Sequence, residues 1–353
     1  MLVHMGNGLW IVVDSCVDPS ESEPVALRYL SEIGSDVEHS VVLVVITHWH
    51  DDHVRGVKAV VEKCQAARVA VSAAFQTDEF LALAAIFGKR PVPETGLDEL
   101  AEVFRILQER RRLPRFEPLI AAVQDRLLLR TQIPIGTSLY SAEVHALSPS
   151  DPAIFQACSA FAGLRPAAGE QPRRITPPSR NNASVVLWVE VGRHKILLGA
   201  DLENDPLFGW SVLIRNSTAV SGRAEVFKVP HHGAESGHEP RIWSDLLSPN
   251  PFAVLCPWNL AGRVLPTDSD SERIRSLTAN AYITAPTVPH RRFRLRENKV
   301  QQMVQEATKS IQETELDWGH VRLRRFIDHA DDDWRVALFR GARHLGSDRA
   351  SRH

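Results

Sequence analysis

Histidine and aspartate side chains, the types that bind metals, cluster within one short stretch of this sequence. Thr47-His48-Trp49-His50-Asp51-Asp52-His53 has the pattern HxHxDH. Imidazole and carboxylate are ligands of borderline and hard divalent metals, so this spacing can serve two ions at once. His48 and His50 are expected to face one ion. Asp52 and His53 are expected to face the other.

Two other interpretations of this pattern compete with a two-metal site. A surface turn can be rich in histidine by chance, and a single structural metal can use the same ligands. Structural zinc sites usually draw on cysteine, and none lies near this motif. The pattern therefore favours a catalytic metal site.

The elements before and after the motif indicate how it is held. Val41–Ile46 is β-branched and apolar on both faces, which predicts a buried interior strand flanked by helices. A β-hairpin around Gly6-Asn7-Gly8 is expected over residues 1–14. Helical spacing over residues 24–33 and 54–64 and a strand at 68–72 continue the α/β alternation.

Farther along the chain the pattern changes twice. Long amphipathic stretches broken by prolines predict a helical insertion over about residues 77–130, with apolar positions at Leu100, Val103, Leu107, Leu119, Val123 and Leu127. Strands are predicted at residues 143–147, 184–191, 195–198, 225–229 and 252–255, and a loop at 165–180. We expect one main domain over residues 1–298. Residues 299–353 are expected to form a helix (299–315) and a hairpin (320–327 with 334–339) that pack on the same domain.

The composition is that of an ordinary globular protein. The 353 residues include 41 Lys+Arg and 43 Asp+Glu, for a formal net charge of −2. This balance argues against a wholly electrostatic nucleic-acid binder. Apolar runs are far shorter than the ~20 residues that cross a bilayer, so we expect no membrane partner and a cytoplasmic location. Four scattered cysteines do not form a disulfide scaffold.

Three further marks accompany the HxHxDH motif. They are Asp14 after the opening strand, the strand followed by Gly199-Ala200-Asp201, and the strand followed by His231-His232-Gly233. With them the chain resembles the metallo-β-lactamase superfamily. The resemblance implies an α/β fold, the αββα sandwich, with metals at one edge where strand-end loops converge. A doubly wound nucleotide-binding sheet is disfavoured because no Gly-rich phosphate loop opens a helix.

Asn181-Asn182-Ala183-Ser184 before a strand adds a narrower resemblance, to the nuclease-like domain of the competence protein ComEC and its soluble relatives. The resemblance implies that Asp201 bridges two metals and that His232 completes the second site. His231 would then bind substrate or protonate a leaving group, although the two histidines could exchange roles.

One departure from the superfamily pattern concerns the histidine that many members place between HxHxDH and the bridging aspartate. Only His145 and His194 lie there, and we interpret both as structural. Asn182 falls where the missing ligand is expected, and its amide oxygen suits harder ions such as Mn²⁺ or Mg²⁺. Asn181 and Asn182 could equally form a turn.

The chemistry expected of this site is hydrolysis. Two divalent ions, Zn²⁺ or Mn²⁺, held roughly 3.5–4 Å apart lower the pKa of a shared water and neutralise charge on the attacked group. Asp52 and His231 are the candidate catalytic residues. Asp14 could hydrogen-bond a ligating histidine and fix its tautomer, or it could cap backbone amides.

The substrate is less well defined by the sequence. The ComEC resemblance favours a phosphodiester in DNA or RNA, and cationic stretches could bind its backbone. We single out Arg291, Arg292 and Arg294, with further cations at Arg173, Arg174, Arg180, Arg322, Arg324 and Arg325. The alternatives are a small ester, lactone or thioester hydrolase, and a metal-binding subunit that docks a protein partner through the helical insertion.

Overall fold

The computed structural model describes residues 1–18, 22–87, 96–112, 119–164, 181–260, 263–287, 318–328 and 333–347. The chain separates into two compact units. The N-terminal unit comprises Met1–His231, Ser236–Ser248 and Ile327–Ala330. The C-terminal unit comprises His232–Glu235, Pro249–Phe326 and Asp331–His353.

The first sheet of the N-terminal unit begins with the predicted hairpin and continues in parallel strands. The hairpin pairs Leu2 with Val12, and the turn places Asn7 in the left-handed region at φ 48°. Parallel pairing joins the later strands in sequence order. The strands are β1 (Leu2–Gly6), β2 (Leu9–Val13), β3 (Val41–Ile46), β4 (Arg68–Ser72) and β5 (Ile120–Ala122).

The second sheet of this unit is an antiparallel meander closed by one parallel strand. Its order is β10-β9-β8-β7-β6, and β10 runs parallel to β9. The strands are β6 (Arg126–Ile135), β7 (Ser138–Ala146), β8 (Leu187–Val191), β9 (His194–Leu198) and β10 (Ala224–Lys228).

Alternation along the strands buries one face of each sheet against the other. Leu43 and Val45 of β3 share a buried cluster with Val144 of β7 and Val189 of β8. The opposite face of β3, with Val44 and Ile46, packs against helices of the unit. This confirms the prediction that β3 is buried on both faces.

Helices cover the outer face of the first sheet through a large apolar cluster. Val57, Val60 and Val61 of α4 and Leu100 of α6 belong to that cluster. On the second sheet, Phe227 of β10 lies 5.4 Å, ring to ring, from Trp243 in a short helical turn. The helices are α1 (Val25–Glu32), α2 (Val37–Ser40), α3 (Asp51–Val54), α4 (Val57–Lys63), α5 (Asp78–Phe87), α6 (Gly96–Arg110), α7 (Asp151–Gly163) and α8 (Trp210–Asn216). The predicted αββα sandwich is confirmed.

The predicted helical insertion over residues 77–130 is only partly correct. Helices α5 and α6 occupy its first part, but β5 and β6 occupy its last part. Leu127, which a helical spacing would bury, is 37% exposed, whereas Leu128 and Leu129 are buried. A bulge between Leu127 and Leu129 interrupts the strand alternation, so a regular strand pattern is absent from the sequence there.

The C-terminal unit contains smaller sheets and one capped helix. Strand β14 runs parallel to β11 and antiparallel to β17, while β15 pairs with β16. Thr267 and Asp270 form a capping box at the start of α9. The elements are β11 (Leu247–Leu255, whose first two residues belong to the N-terminal unit), β12 (Trp258–Leu260), β13 (Arg263–Leu265), α9 (Asp268–Leu277), β14 (Ala281–Ile283), β15 (His320–Arg324), β16 (Arg335–Phe339) and β17 (Arg343–His344).

The predicted terminal hairpin is confirmed by β15 and β16. The predicted helix at residues 299–315 and loop at 165–180 lie outside the described residues. The division into a domain over residues 1–298 and an extension over 299–353 stays a prediction. Across the described part of the chain, every helix is too short or too polar to traverse a lipid bilayer.

Asp125 joins the start of β6 to the loop after α8. Its carboxylate accepts hydrogen bonds from Ser217 Oγ, Thr218 N and Thr218 Oγ1. Burial alone would raise the pKa of Asp125, but these hydrogen bonds outweigh it and lower the pKa below the ordinary value. Its contribution to stability is therefore present above the unfolded pKa and is lost as the pH falls through the folded pKa.

We expect Asp125→Asn, which keeps a residue suited to φ 62°, to lower the free energy of unfolding by about 1–2 kcal/mol at pH 7. The difference from wild type should shrink at acid pH, as the pH falls through the folded pKa and the carboxyl becomes protonated. Urea unfolding of both proteins at pH 7 and at the acid pH measures this difference in the free energy of unfolding. An equal loss at the two pH values would contradict the proposed role of the charge.

Candidate metal centre

Parallel pairing brings the carboxyl ends of β2 and β3 to one edge of the first sheet. Val13 pairs with Val45, so Asp14 and Thr47 follow their strands side by side. The Asp14 carboxylate accepts hydrogen bonds from Thr47 N and Thr47 Oγ1, each at 2.7 Å. Asp14 has φ 56°, a conformation that Asp tolerates better than most residues. Asp14 thus anchors the start of the HxHxDH turn.

The same carboxylate orients His53. His53 Nδ1 lies 2.7 Å from Asp14 Oδ2 and donates its proton there, so Nε2 points away from Asp14. His53 Nε2 lies 3.3 Å from Asp201 Oδ1 and 4.0 Å from Asp52 Oδ2. Burial by itself lowers the pKa of His53, but the carboxylates of Asp201 and Asp14 outweigh it and raise that pKa well above its usual value. Negative charge therefore dominates around this ring.

His48 is held through Thr47. The Thr47 hydroxyl donates its proton to Asp14, so it accepts a hydrogen bond from His48 Nδ1 at 2.9 Å. This tautomer leaves a lone pair on His48 Nε2. That atom is buried, has no hydrogen-bond partner among the described residues and lies 4.0 Å from Asp201 Oδ2. Burial lowers the pKa of His48 well below its usual value, and the nearby His53 lowers it further.

Asp201 reaches this edge from the second sheet. Leu198 of β9 pairs in parallel with Lys228 of β10, and Asp201 follows β9 through Gly199 and Ala200. Its side chain is almost completely buried. Lys228 Nζ donates to the Ala200 carbonyl at 2.7 Å and lies 3.4 Å from Asp201 Oδ1. The lysine holds the loop that presents Asp201.

Sequence reasoning missed Lys228 and Thr47. Lys228 is a cation at the end of an apolar strand, three residues before His231, and Thr47 is the first polar residue after Val41–Ile46. Both signals are present in the sequence. Neither signal identifies the carboxylate that the side chain contacts, because that contact depends on the pairing of strands that are distant in the sequence.

These side chains form two overlapping groups of metal-ligand type. Ligand atoms of Asp52, His53 and Asp201 lie within 4.8 Å of one another, as do those of Asp14, His48 and His53. The His50 ring centroid lies 4.9 Å from that of His48. The carboxylates of Asp52 and Asp201 beside imidazole nitrogens are a donor set for a divalent cation, and the buried His48 Nε2 lone pair needs an electrophilic partner. The residues present therefore fit a divalent metal.

Helix α6 supports the turn from the outside. The Gly96 amide donates to Asp51 Oδ1 at 2.7 Å. A Cβ on Gly96 would lie only 1.9 Å from the Trp49 carbonyl oxygen, so the helix can start here only with glycine. Asp51 occupies the second x position of HxHxDH. Through its side chain the turn contacts α6, which lies in the predicted insertion.

The two histidines after β10 have different partners. The His231 amide donates to the Ala200 carbonyl at 3.2 Å, beside Asp201, and His231 Nδ1 lies 2.9 Å from Ser236 Oγ. His232, in the C-terminal unit, is buried at φ 55°, and its Nδ1 donates to the Cys256 carbonyl at 3.1 Å. That hydrogen bond leaves Nε2 as the His232 atom with a lone pair.

Asn181 and Asn182 lie in a turn before β8. The Ser184 amide donates to the Asn181 carbonyl at 2.9 Å. Asn182 Nδ2 donates to Gln156 Oε1 at 2.9 Å. Its Oδ1 is buried and has no hydrogen-bond partner among the described residues. Asn182 can therefore belong to the turn and still present Oδ1 as a ligand atom.

The remaining candidates lie away from the grouped ligands or outside the described residues. His194 Nδ1 lies 3.0 Å from Glu225 Oε2, and His145 lies on β7, 3.9 Å from Glu143. Neither appears in the ligand groups found among the described residues. The structure does not describe Arg291, Arg292 and Arg294, so their role as nucleic-acid ligands stays a prediction.

Solved structures similar to this chain are metallo-β-lactamases and PqqB. A Cronobacter sakazakii metallo-beta-lactamase with a mutated HARLDQ motif shares 13% identity over 64% of this chain and 70% of that chain, with a TM-score of 0.30. Zn(2+)-bound PqqB from Methylobacterium extorquens shares 12% over 56% of this chain and 50% of that one, with a TM-score of 0.26. A subclass B3 metallo-beta-lactamase of Bradyrhizobium japonicum shares 12% over 64% and 68%, with a TM-score of 0.28. No curated protein matches the sequence.

The family assignment rests on the sequence rather than on these distant structures. The family model of the Metallo-beta-lactamase superfamily matches residues 1–239, well over half of the 353 residues. The matched span contains the HxHxDH turn, Asp201 and the His231-His232-Gly233 segment. The chain belongs to the metallo-beta-lactamase superfamily of metal-dependent hydrolases.

Proposed function

We propose that this protein is a phosphodiesterase that hydrolyses DNA or RNA. The observation that carries the hydrolytic part is the cluster of Asp52, His53 and Asp201, held from behind by Asp14. The Asn181–Asn182 and His231–His232 motifs support the choice of a phosphodiester, because they resemble those of the ComEC nuclease-like domain.

The chain contributes ligands whose orientation is fixed before substrate arrives. Asp14 and Thr47 hold the Nδ1 atoms of His53 and His48, so each ring presents its Nε2 atom to the sheet edge. Divalent ions bound there would supply a water of lowered pKa and positive charge against the phosphoryl oxygens. Because the ligands cannot rotate away, little reorganisation is needed during the reaction.

Further ligands are part of the proposal. We assign His50 with His48 to the first metal, and the resemblance to the superfamily implies that His232 completes the second. Asn182 Oδ1, buried and lacking a hydrogen-bond partner among the described residues, is proposed to complete the first site. An amide oxygen in place of a third imidazole makes that site harder, which favours Mn²⁺ over Zn²⁺ there.

His231 is the proposed proton donor. It lies beside the Asp201 loop through its backbone bond to Ala200, and Ser236 fixes its ring from the Nδ1 side. In the proposed reaction the water oxygen bonds to phosphorus and the water releases one proton to solvent. The bond from phosphorus to the leaving oxygen breaks, and His231 gives its proton to that oxygen. Asp52 orients the attacking water.

The test compares substrates from the competing classes. Purified protein is incubated with Mn²⁺ or Zn²⁺ on single-stranded DNA, RNA, bis-p-nitrophenyl phosphate and a panel of lactones and thioesters. We expect cleavage of the phosphodiesters, with Mn²⁺ at least as effective as Zn²⁺, and loss of cleavage after chelation. Turnover confined to lactones or thioesters would contradict the phosphodiesterase proposal and support a small-molecule hydrolase.

A further inference from the structure

A cleft of about 620 Å³ lies in the N-terminal unit, where the segments that follow β5 and β7 meet. The Gln124 amide donates to the Pro149 carbonyl at 2.9 Å and joins these two segments. The start of α7, the loop before α8 and α8 itself complete the wall. The volume is that of a small-molecule site, about 300–1,000 Å³. Of the described residues, none that belongs to the two metal-ligand groups lines the cleft.

The cleft lies at the same edge of the sandwich as the metal centre. Strands β3, β4 and β5 are parallel, so the segment after β5 shares an edge with the HxHxDH turn after β3. Strands β7 and β9 both pair antiparallel with β8, so both end at the edge where Asp201 lies. Two strand spacings separate β5 from β3, and β7 from β9, which is roughly 10 Å. The cleft is therefore a neighbour of the metal centre.

Each wall of the cleft continues into an element that presents a proposed metal ligand. On one side, the loop that begins at Asp201 reaches Phe208, whose amide donates to Asp205 Oδ1 at 3.2 Å. On the other side, α7 starts at the cleft, and its Gln156 accepts a hydrogen bond from Asn182 at 2.9 Å. A molecule in the cleft would thus lie beside the elements that present Asp201 and Asn182.

Three polar side chains of the wall have capacity for a bound molecule. Ser150 Oγ is buried, makes no capping bond at the start of α7 and has no hydrogen-bond partner among the described residues. Because a serine hydroxyl turns about one bond, it can rotate towards the cleft. Arg215 and Asp151 are exposed. Arg215 Nε donates to the neutral Asn216 side chain at 3.3 Å, and in the described part of the chain neither charge belongs to an ion pair.

The fourth charged residue of the wall is already satisfied. Asp125 accepts hydrogen bonds from Ser217 and Thr218, as described above. The groups left for a ligand are thus one guanidinium, one carboxylate and one hydroxyl, beside the apolar surface of Phe208 and Val212.

This combination fits a nucleotide better than smaller or less polar molecules. A guanidinium binds phosphate, the carboxylate and hydroxyl can bind the amino and hydroxyl groups of a nucleoside, and an aromatic ring stacks on an unpaired base. Inorganic phosphate would use the cation and leave the apolar wall uncovered. An acyl lactone would cover the apolar wall, but it offers no charge to Arg215.

We propose that this cleft is a nucleotide subsite, which binds one nucleotide of a single strand beside the nucleotide that is cleaved. The choice of a nucleotide rests on the proposed phosphodiesterase function. Arg215 binds the phosphate, Ser150 and Asp151 hydrogen-bond the nucleoside, and the base lies on Phe208.

Calorimetric titration of the full chain with each of the four deoxynucleoside 5′-monophosphates tests the proposal. It is run on protein as purified and again with a chelator, because binding in the cleft should survive removal of metal. We expect Arg215→Gln to weaken binding about 10-fold and to reduce the salt slope by about 0.7, the contribution of one phosphate contact. Ser150→Ala should weaken binding about fivefold without lowering the melting temperature, since its hydroxyl has no partner among the described residues.

Matched controls remove the same groups elsewhere in the unit. Ser159→Ala lies on the same helix, and its hydroxyl donates to the Phe155 carbonyl at 3.1 Å. Arg105→Gln removes an exposed guanidinium that already pairs with Glu102 and Glu109. Neither control should change the affinity or the salt slope. Circular dichroism verifies that all variants are folded.

Several results would overturn the nucleotide subsite. They are the absence of saturable binding for every mononucleotide, equal affinity for inorganic phosphate, tighter binding of an acyl lactone, and wild-type affinity in both Arg215→Gln and Ser150→Ala. A single strand of about ten nucleotides, added with the chelator, should displace the mononucleotide. A strand that fails to displace it would show that the cleft takes only free nucleotides and would also overturn the proposal.

The outcomes separate this inference from the proposed function. Nucleotide binding that survives chelation and depends on Arg215, in a protein that cleaves no phosphodiester, would remove the catalytic proposal and leave the cleft. Metal-dependent cleavage by a protein whose nucleotide binding ignores the cleft variants would do the reverse.

Discussion

Asp52→Ala is expected to lower kcat/KM for phosphodiester hydrolysis by about 10³-fold or more. Asp52 contributes a carboxylate to the group with His53 and Asp201, and it is the most exposed of the three side chains, with 35% of its side-chain surface accessible. Its loss therefore removes a ligand and the proposed water-orienting group without opening the core. Initial rates on bis-p-nitrophenyl phosphate and on single-stranded DNA measure the effect.

The neighbouring residue supplies the control. Asp51→Asn keeps the oxygen that accepts the Gly96 amide, so the turn and helix α6 should remain in place and activity should stay within a few-fold of wild type. His53→Ala should lose as much activity as Asp52→Ala. Undiminished turnover in the Asp52 variant would exclude this carboxylate from the reaction.

Asp14→Asn should weaken metal binding about 10- to 100-fold even though the residue contacts only protein groups. The two Asp14 oxygens accept from Thr47 N, Thr47 Oγ1 and His53 Nδ1. An amide in the same position places an N–H against one of these donors, whichever way it is turned. His53 then loses the acceptor that fixes its tautomer, and its Nε2 lone pair is no longer reserved for the metal.

Titration of chelator-treated protein with Mn²⁺ and Zn²⁺ measures this effect directly. Asp36→Asn is the matched control, because Asp36 also bonds a histidine, His39, but in an exposed pair at 2.9 Å. The Asp36→Asn variant should bind metal with wild-type affinity, because an exposed ion pair contributes little to stability. Wild-type affinity in Asp14→Asn would show that the His53 hydrogen bond has no influence on the metal site.

The sequence predicted the parts of the fold that depend on local pattern. Val41–Ile46 is apolar on both faces because helices and a second sheet cover it, and the HxHxDH turn follows directly. The hairpin at Asn7 was also predicted, since its turn chemistry is local. In each case a few consecutive residues contain the whole signal.

The errors and omissions have a common physical origin. Leu127 fits a helical pattern, but pairing of β6 with β7 and a bulge decide its structure. The hydrogen bond of Lys228 to the Ala200 carbonyl depends on the register of β9 and β10. Such contacts join residues far apart in the sequence, and single-sequence patterns contain no information about register. For Asp14 the signal in the sequence is the superfamily resemblance, not a local pattern.

Side chains from separate strands are proposed to hold a pair of divalent cations. The amount of metal bound per chain, measured by elemental analysis after removal of weakly bound ions, tests it most directly. We predict two Mn²⁺ or Zn²⁺ ions per wild-type chain and fewer than one in Asp201→Ala, because one Asp201 oxygen lies 4.0 Å from His48 Nε2 and the other lies 3.3 Å from His53 Nε2. Wild-type protein without tightly bound metal, or an Asp201 variant that retains both ions, would exclude a two-metal site that depends on Asp201.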